Sequence, residues 1–154
     1  MTIDFDKVML NIKQGYYKYI GSGSGRKVFD LGNGYVLKIA KNKAGIAQNK
    51  AEYIISDNDQ TKLFAKVIQV SSDFSLLIME KASEISDILY VWKYFNVSNK
   101  DEFLKTQELQ EMKKNYRLLL GDFCRKSSWG MIDGKPVIID YGFTREVVEK
   151  HYSF

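Results

Sequence analysis

The chain has 154 residues, 45% apolar and 27% charged, values of an ordinary globular protein and suited to one folding unit of two small lobes. Its net charge of +4 is too weak to indicate nucleic-acid binding without a basic stripe, and Glu108 and Glu111 interrupt the cluster Lys113, Lys114 and Arg117. One cysteine, Cys124, excludes an internal disulfide and suits a reducing, cytoplasmic setting, and with the single His151 it falls short of a zinc site. Asp4 and Asp6 near the start argue against a signal peptide or membrane anchor.

In chain order, Ile3 to Gln14 forms a short helix on which Ile3, Val8, Met9 and Ile12 fit an apolar face only loosely. Tyr16 to Ile20 is rich in β-formers and enters Gly21-Ser-Gly-Ser-Gly25. Lys27–Leu31 reads as a strand, Gly32-Asn33-Gly34 as a tight turn and Tyr35–Ala40 as the next strand. Ala44–Ile55 is helical, with Ala47, Ala51, Ile54 and Ile55 on one side. Phe64–Val70 and Ser75–Met79 are strands, the second nearly all apolar and therefore central. The first lobe reads β-β-β-α-β-β.

Ile85–Phe95 is a short apolar helix. Ser98 and Asp101 resemble a capping box that opens a longer helix over roughly residues 99–120, with Leu109, Met112, Tyr116 and Leu119 as its buried stripe. A polar loop over Gly121–Ser128 precedes a hairpin, Trp129–Ile132 and Pro136–Asp140, turned at Asp133-Gly134. The last dozen residues are charged, and helical or frayed. The 10 Tyr, 9 Phe and 2 Trp allow small lobes to build cores, because each aromatic buries a large area.

Four features carry chemistry. Glycines in a turn let backbone amides approach a phosphate, although the same sequence also serves a flexible hairpin. Lys38 shares a face with Val36 and Ala40, where a cation seeks an anion or else guards a sheet edge. Glu52, in the following helix, is a candidate ion-pair partner for Lys38 or an ordinary solvated glutamate. Asp140 leaves an apolar strand beside Tyr141-Gly142, and the hairpin returns the chain toward Asp122. Asp140 is placed to hold a metal ion and the two carboxylates to face one cleft, or else each simply caps a turn.

Taken in order, these features resemble the protein-kinase series. Gly21, Gly23 and Val28 match G-x-G-x-x-G-x-V, with Arg26 at the third glycine's place. Val36-Leu-Lys38 resembles the strand that carries the phosphate-binding lysine, and Glu52 the glutamate that orients it. Leu77–Ala82 looks like the hinge, with Met79 as gatekeeper and the backbones of Glu80 and Ala82 reading adenine. Asp140-Tyr-Gly142 resembles D-F-G, with Asp140 on Mg²⁺. Asp122 resembles the catalytic aspartate, with Ser127 at the position of the metal-binding asparagine, Cys124 where kinases often keep a lysine, and Arg125 and Lys126 as candidates to replace that charge.

The resemblance covers residues 16–143 and implies an α+β fold. A five-stranded antiparallel N-lobe with one helix spans about 15–80, and a reduced helical C-lobe with a β-hairpin spans 81–154. Little chain follows Gly142, so an activation segment and the distal substrate-docking helices are expected to be missing. Very small kinase-like proteins of bacteriophages and bacteria are similar. The implied function is ATP- and Mg²⁺-dependent phosphoryl transfer to a hydroxyl on a protein or on the chain itself. The alternative is a degenerate pseudokinase, phage-encoded against a host target, whose exposed apolar surface takes a partner protein or forms a homodimer. Neither nucleic acid nor a membrane is an expected partner.

Overall fold

The computed structural model describes residues 2–152. The chain divides into two compact units. One runs up to Asp57 and includes Lys66–Lys81; the other comprises Asn58–Ala65 and the residues from Ala82 onward.

The first unit is built on a five-stranded antiparallel sheet, β1 (Lys18–Ser22), β2 (Arg26–Asp30), β3 (Tyr35–Ala40), β4 (Val67–Val70) and β5 (Leu76–Glu80), in the order β1-β2-β3-β5-β4. Period-two alternation gives each strand two faces. One face carries Leu31, Leu37, Leu76 and Ile78, and α1 (Phe5–Lys13) covers it with Val8, backed by Phe5, Met9 and Ile12. Asp4 caps α1 by accepting from the amides of Asp6 and Lys7. Gln69 fixes the approach to α1, pairing with both the amide and the carbonyl of Ile3 at 2.8 Å. The loose apolar pattern read there belongs to a helix that is buried along one stripe.

The other face carries Arg26, Val28, Val36, Lys38, Leu77 and Met79. Register sets Val28 opposite Lys38, Lys38 opposite Leu77, and Val36 opposite Met79. Helix α2 (Lys43–Asn58) buries Gly45, Gln48, Asn49, Glu52 and Ile55. This corrects the sequence reading of its face: Ile54 is 46% exposed, and a mostly polar stripe takes the inside.

The second unit has a small sheet, β6 (Ser83–Glu84), β7 (Trp129–Ile132) and β8 (Lys135–Ile138), with β7 in the middle. Asp133 and Gly134 turn the hairpin at φ 51° and 78°, the left-handed pair expected of Asp-Gly. Helix α3 (Leu89–Tyr94) is shorter than the span Ile85–Phe95.

The single helix expected over 99–120 is two. Helix α4 (Lys100–Leu104) is capped by Asn99 rather than Ser98, and α5 (Gln107–Tyr116) by Thr106. Thr106 breaks the run because its hydroxyl donates to the Phe103 carbonyl at 2.8 Å and accepts from the amide of Leu109. Arg117, left-handed at φ 55°, ends α5. The expected polar loop forms two short 3-10 turns, Leu120–Cys124 and Lys126–Ser128, and the last helix among the described residues is α6 (Arg145–His151).

The core of this unit is aromatic. Phe95, Phe103 and Phe123 each pack against Trp129, whose indole N–H donates to the Phe123 carbonyl at 2.8 Å. Among the described residues no helix is long and apolar enough to cross a membrane.

Residues 63–65 join this unit by pairing with β8. The Ile138 amide donates to the Leu63 carbonyl and the Ala65 amide to the Ile138 carbonyl, at 2.7 and 2.9 Å. Tyr141, 1% exposed, completes the join: its hydroxyl donates to the Ala65 carbonyl at 2.6 Å and its ring packs on Phe64. A phenylalanine could fill the space but would leave that buried carbonyl short of a donor. Tyr141→Phe should therefore destabilise the second unit by about 1–3 kcal/mol, read as a lower urea midpoint by tryptophan fluorescence.

Candidate functional site

In the first unit the chemistry gathers on the sheet face under α2. Lys38, 5% exposed, donates from Nζ to Glu52 Oε1 and Oε2 at 2.9 and 3.1 Å. Glu52 is fully buried and accepts from a second cation as well: Arg26 Nη1 reaches Oε1 at 2.5 Å and Nη2 reaches Oε2 at 3.0 Å. Arg26 Nη1 also donates to Asn49 Oδ1 at 3.0 Å, and Asn49 in turn donates to the Phe74 carbonyl at 2.9 Å. Burial pushes the Glu52 carboxyl up, but the charges of Arg26 and Lys38 and their hydrogen bonds outweigh it and hold it at about 2.

The sequence thus brings Lys38 and Glu52 together as read, and Arg26 is the residue that reading passed over. In sequence it stands only at the place of the third glycine. The usable signal was its place two residues before Val28, on the same strand face.

The glycine turn is built with two kinds of glycine. A Cβ on Gly21 or Gly23 would meet nothing within 4 Å. One on Gly45 would lie 2.0 Å from the Gly25 carbonyl oxygen, and one on Gly25 would lie 3.0 Å from the Gly45 Cα. Packing therefore demands Gly25 and Gly45, whereas nothing in the packing demands Gly21 and Gly23. The turn is stapled to the start of α2: the Lys41 amide donates to the Gly25 carbonyl at 2.7 Å, and Asn42 donates to the Ser24 carbonyl at 3.1 Å. Asn42 also caps α2 by accepting from the Gly45 amide at 2.9 Å. The Gly23 amide closes the turn on the Arg26 carbonyl at 2.9 Å, so it is already engaged within the protein.

Of the remaining expected positions in this unit, Val28 and Val36 are half-buried on the Lys38 face. Met79 is fully buried, and the Glu80 amide donates to the Lys66 carbonyl at 2.9 Å within the sheet.

The second unit holds the other candidates. Asp122 lies in the first 3-10 turn, half-buried, with Arg125 Nη2 on its Oδ1 at 2.8 Å. Burial pushes its carboxyl up, Arg125 pulls it back, and the charge of Asp140 pushes it up further, leaving it above the ordinary value. Asp140 is half-buried just past β8, beside the buried Tyr141 and Gly142.

Ser127 is exposed. Its neighbour Ser128 is the buried one, donating to the Asp122 carbonyl at 2.7 Å and so fixing the turn. Nothing in a Ser-Ser pair tells the two apart in sequence. Lys126 Nζ lies on the Ser86 carbonyl at 3.4 Å, so Arg125 is the cation beside Asp122. Ala82, also in this unit, is half-buried, and a Cβ on Gly130 of β7 would lie 2.6 Å from its own Cβ.

Among the described residues no three His, Cys, Asp or Glu side chains converge on one point. The Asp140 carboxylate is nevertheless a hard-oxygen group of the kind that suits Mg²⁺, which is commonly held by one or two carboxylates plus phosphate oxygens.

No family model matches the chain, and no curated protein matches it in sequence. Solved structures do match. The gentamicin complex of APH(2")-IIa superposes with a TM-score of 0.51 at 16% identity, covering 92% of this chain and 71% of that one. The streptomycin–ATP ternary complex of the same protein gives 0.48 at 15%, with the same coverage. The fold assignment rests on the first: an antiparallel five-stranded sheet with helices, in a small α+β protein-kinase-like arrangement.

The Glu52 cluster sets an acid limit on stability. The carboxyl pKa is about 2 when folded, well below the 4.5 of an ordinary glutamate. The stabilisation is complete above the unfolded value and is lost as pH falls toward the folded one. Wild type should lose on the order of 3 kcal/mol between pH 5 and 2 from this group. Glu52→Gln should be less stable at pH 7 and lack that part of the acid dependence, as measured by urea titrations across the range.

Proposed function

We propose that the chain is a minimal kinase-like phosphotransferase that moves the γ-phosphoryl group of ATP to a hydroxyl on a protein, itself included. The observation that supports this most strongly is the buried Lys38–Glu52 pair on a sheet face beside a glycine turn, within a kinase-like fold. Lys38 donates to the α- and β-phosphates, oriented by Glu52. Gly21 and Gly23 permit close approach of the turn, Val28, Val36 and Met79 would supply an apolar surface for adenine, and the backbones of Glu80 and Ala82 are the candidates to read it.

Asp140, with Ser127, would hold Mg²⁺, which would neutralise charge on the phosphate oxygens. Asp122 accepts the proton of the attacking hydroxyl as its oxygen bonds to phosphorus and ADP departs. A carboxyl held above its ordinary pKa is the better proton acceptor for this role. Positioning and electrostatics supply most of such catalysis, and those are what these residues would provide.

One observation favours a second reading, a pseudokinase acting as a binding module: Ser127, at the position of the metal-binding asparagine, is a weak ligand and is exposed.

Incubation with γ-labelled ATP and Mg²⁺ separates the readings. Label should appear on protein, rise with pH through a carboxyl pKa above that of an ordinary aspartate, and fall at least ~10²-fold in Asp122→Asn. Asp140→Ala should abolish it. Unchanged transfer in Asp140→Ala would overturn the site assignment. Label on an added aminoglycoside but not on protein would overturn the acceptor class, and nucleotide binding without any transfer would establish the pseudokinase.

A further inference from the structure

The four bonds on Glu52 lead past the pairing with Lys38. A carboxylate has about four lone-pair sites, and here all four are taken, two by Lys38 Nζ and two by the Arg26 guanidinium. The guanidinium is itself oriented by Asn49, one helical turn before Glu52 on α2, so Arg26 grips two residues of the same helix face. Asn49 is fully buried and Arg26 is 5% exposed. The planar fork of an arginine fits this bidentate arrangement, which a lysine at the same place cannot reproduce.

In a kinase-like site the lysine–glutamate pair must be in place for activity, and movement of the helix that bears the glutamate is a means of control. In this chain a second cation, on strand β2, already holds that helix face to the sheet.

We propose that Arg26 is a positioning residue: by locking both oxygens of Glu52 and the Asn49 amide oxygen, it keeps Glu52 in place independently of Lys38 and of any bound phosphate. The Lys38–Glu52 pair is then permanently assembled, and α2 does not serve as an on–off element. Two cations around one carboxylate also leave the cluster with a net charge of +1, which favours an anionic ligand beside Lys38. This rests on the phosphate-binding role given to Lys38 above.

The test uses the whole chain without nucleotide first, then with ADP and Mg²⁺. Lysine-selective ¹H–¹⁵N NMR should show a Lys38 ammonium signal protected from exchange in wild type, identified by its absence in Lys38→Ala. In Arg26→Gln that signal should broaden or vanish. If the assembled pair then persists in about a tenth of molecules, ADP affinity falls about tenfold. Should Arg26→Gln not fold, Arg26→Lys is read the same way, with a weakened signal and an intermediate affinity expected.

A protected Lys38 signal and unchanged ADP affinity in a folded Arg26 variant would overturn the proposal. Loss of the signal in the variant, with no nucleotide bound by wild type, would uphold the positioning role of Arg26 and overturn the nucleotide reading instead.

Discussion

A carboxylate with no solvent exposure must find its whole hydration shell inside the protein, and Glu52 does so with four hydrogen bonds from two cations. Taking three charged groups out of water costs several kcal/mol per ion, and mutual attraction offsets this only when the geometry is close and every donor is placed. That condition constrains much of the first unit. It fixes the rotation of α2, because Asn49 and Glu52 must both face Arg26. It fixes the register of β2 against β3, because Arg26 and Lys38 must converge from neighbouring strands. It also brings the start of α2 so near the β1–β2 turn that only glycine fits at 25 and 45. A buried ion cluster of this kind is weak evidence of stability for its own sake, which is why its place on the face with Val28, Val36 and Met79 points toward function.

The second unit solves a different problem. It is small, and it builds a core from few, large side chains: Phe95, Phe103 and Phe123 around Trp129, with Tyr141 against Phe64. The polar tips of Trp129 and Tyr141 each end on a backbone carbonyl, so the area they bury brings no unpaired donor with it. Tyrosine at 141 therefore has a structural reason in this chain, because its hydroxyl joins residues 63–65 to the hairpin that ends beside Asp140. The same economy shapes the Asp122 turn, where the Ser128 hydroxyl and the Arg125 guanidinium hold backbone and side chain respectively.

The five strands of the first unit were legible because β-former content, an apolar run at Ser75–Met79 and Gly-rich turns mark them locally, and the order of Lys38, Glu52, Asp122 and Asp140 pointed to the fold. What escaped has physical reasons. Apolar periodicity placed the inner face of α2 at Ala47, Ala51, Ile54 and Ile55; Ile55 is buried there, but Ile54 is exposed and the rest of the buried stripe is largely polar, stable only because Arg26 and Lys38 approach from strands distant in sequence. Arg26 escaped for the same reason, since its meaning lies in a partner 26 residues away. The break between α4 and α5 carries neither glycine nor proline. It depends on how one threonine hydroxyl is used, and the end of α5 depends on a left-handed arginine. Such local choices are decided by competition among hydrogen bonds that a one-dimensional pattern does not record.

The central claim is that the Lys38 cluster receives the phosphates of a nucleotide. Calorimetric titration of ATP into wild type and Lys38→Ala, with and without Mg²⁺, tests it most directly. Arg26 remains to neutralise Glu52 in the variant, so the fold should survive for the comparison. Wild type should bind in a Mg²⁺-dependent way, and Lys38→Ala should lose that binding or greatly weaken it. Equal binding by a folded variant, or no binding by wild type, would contradict it.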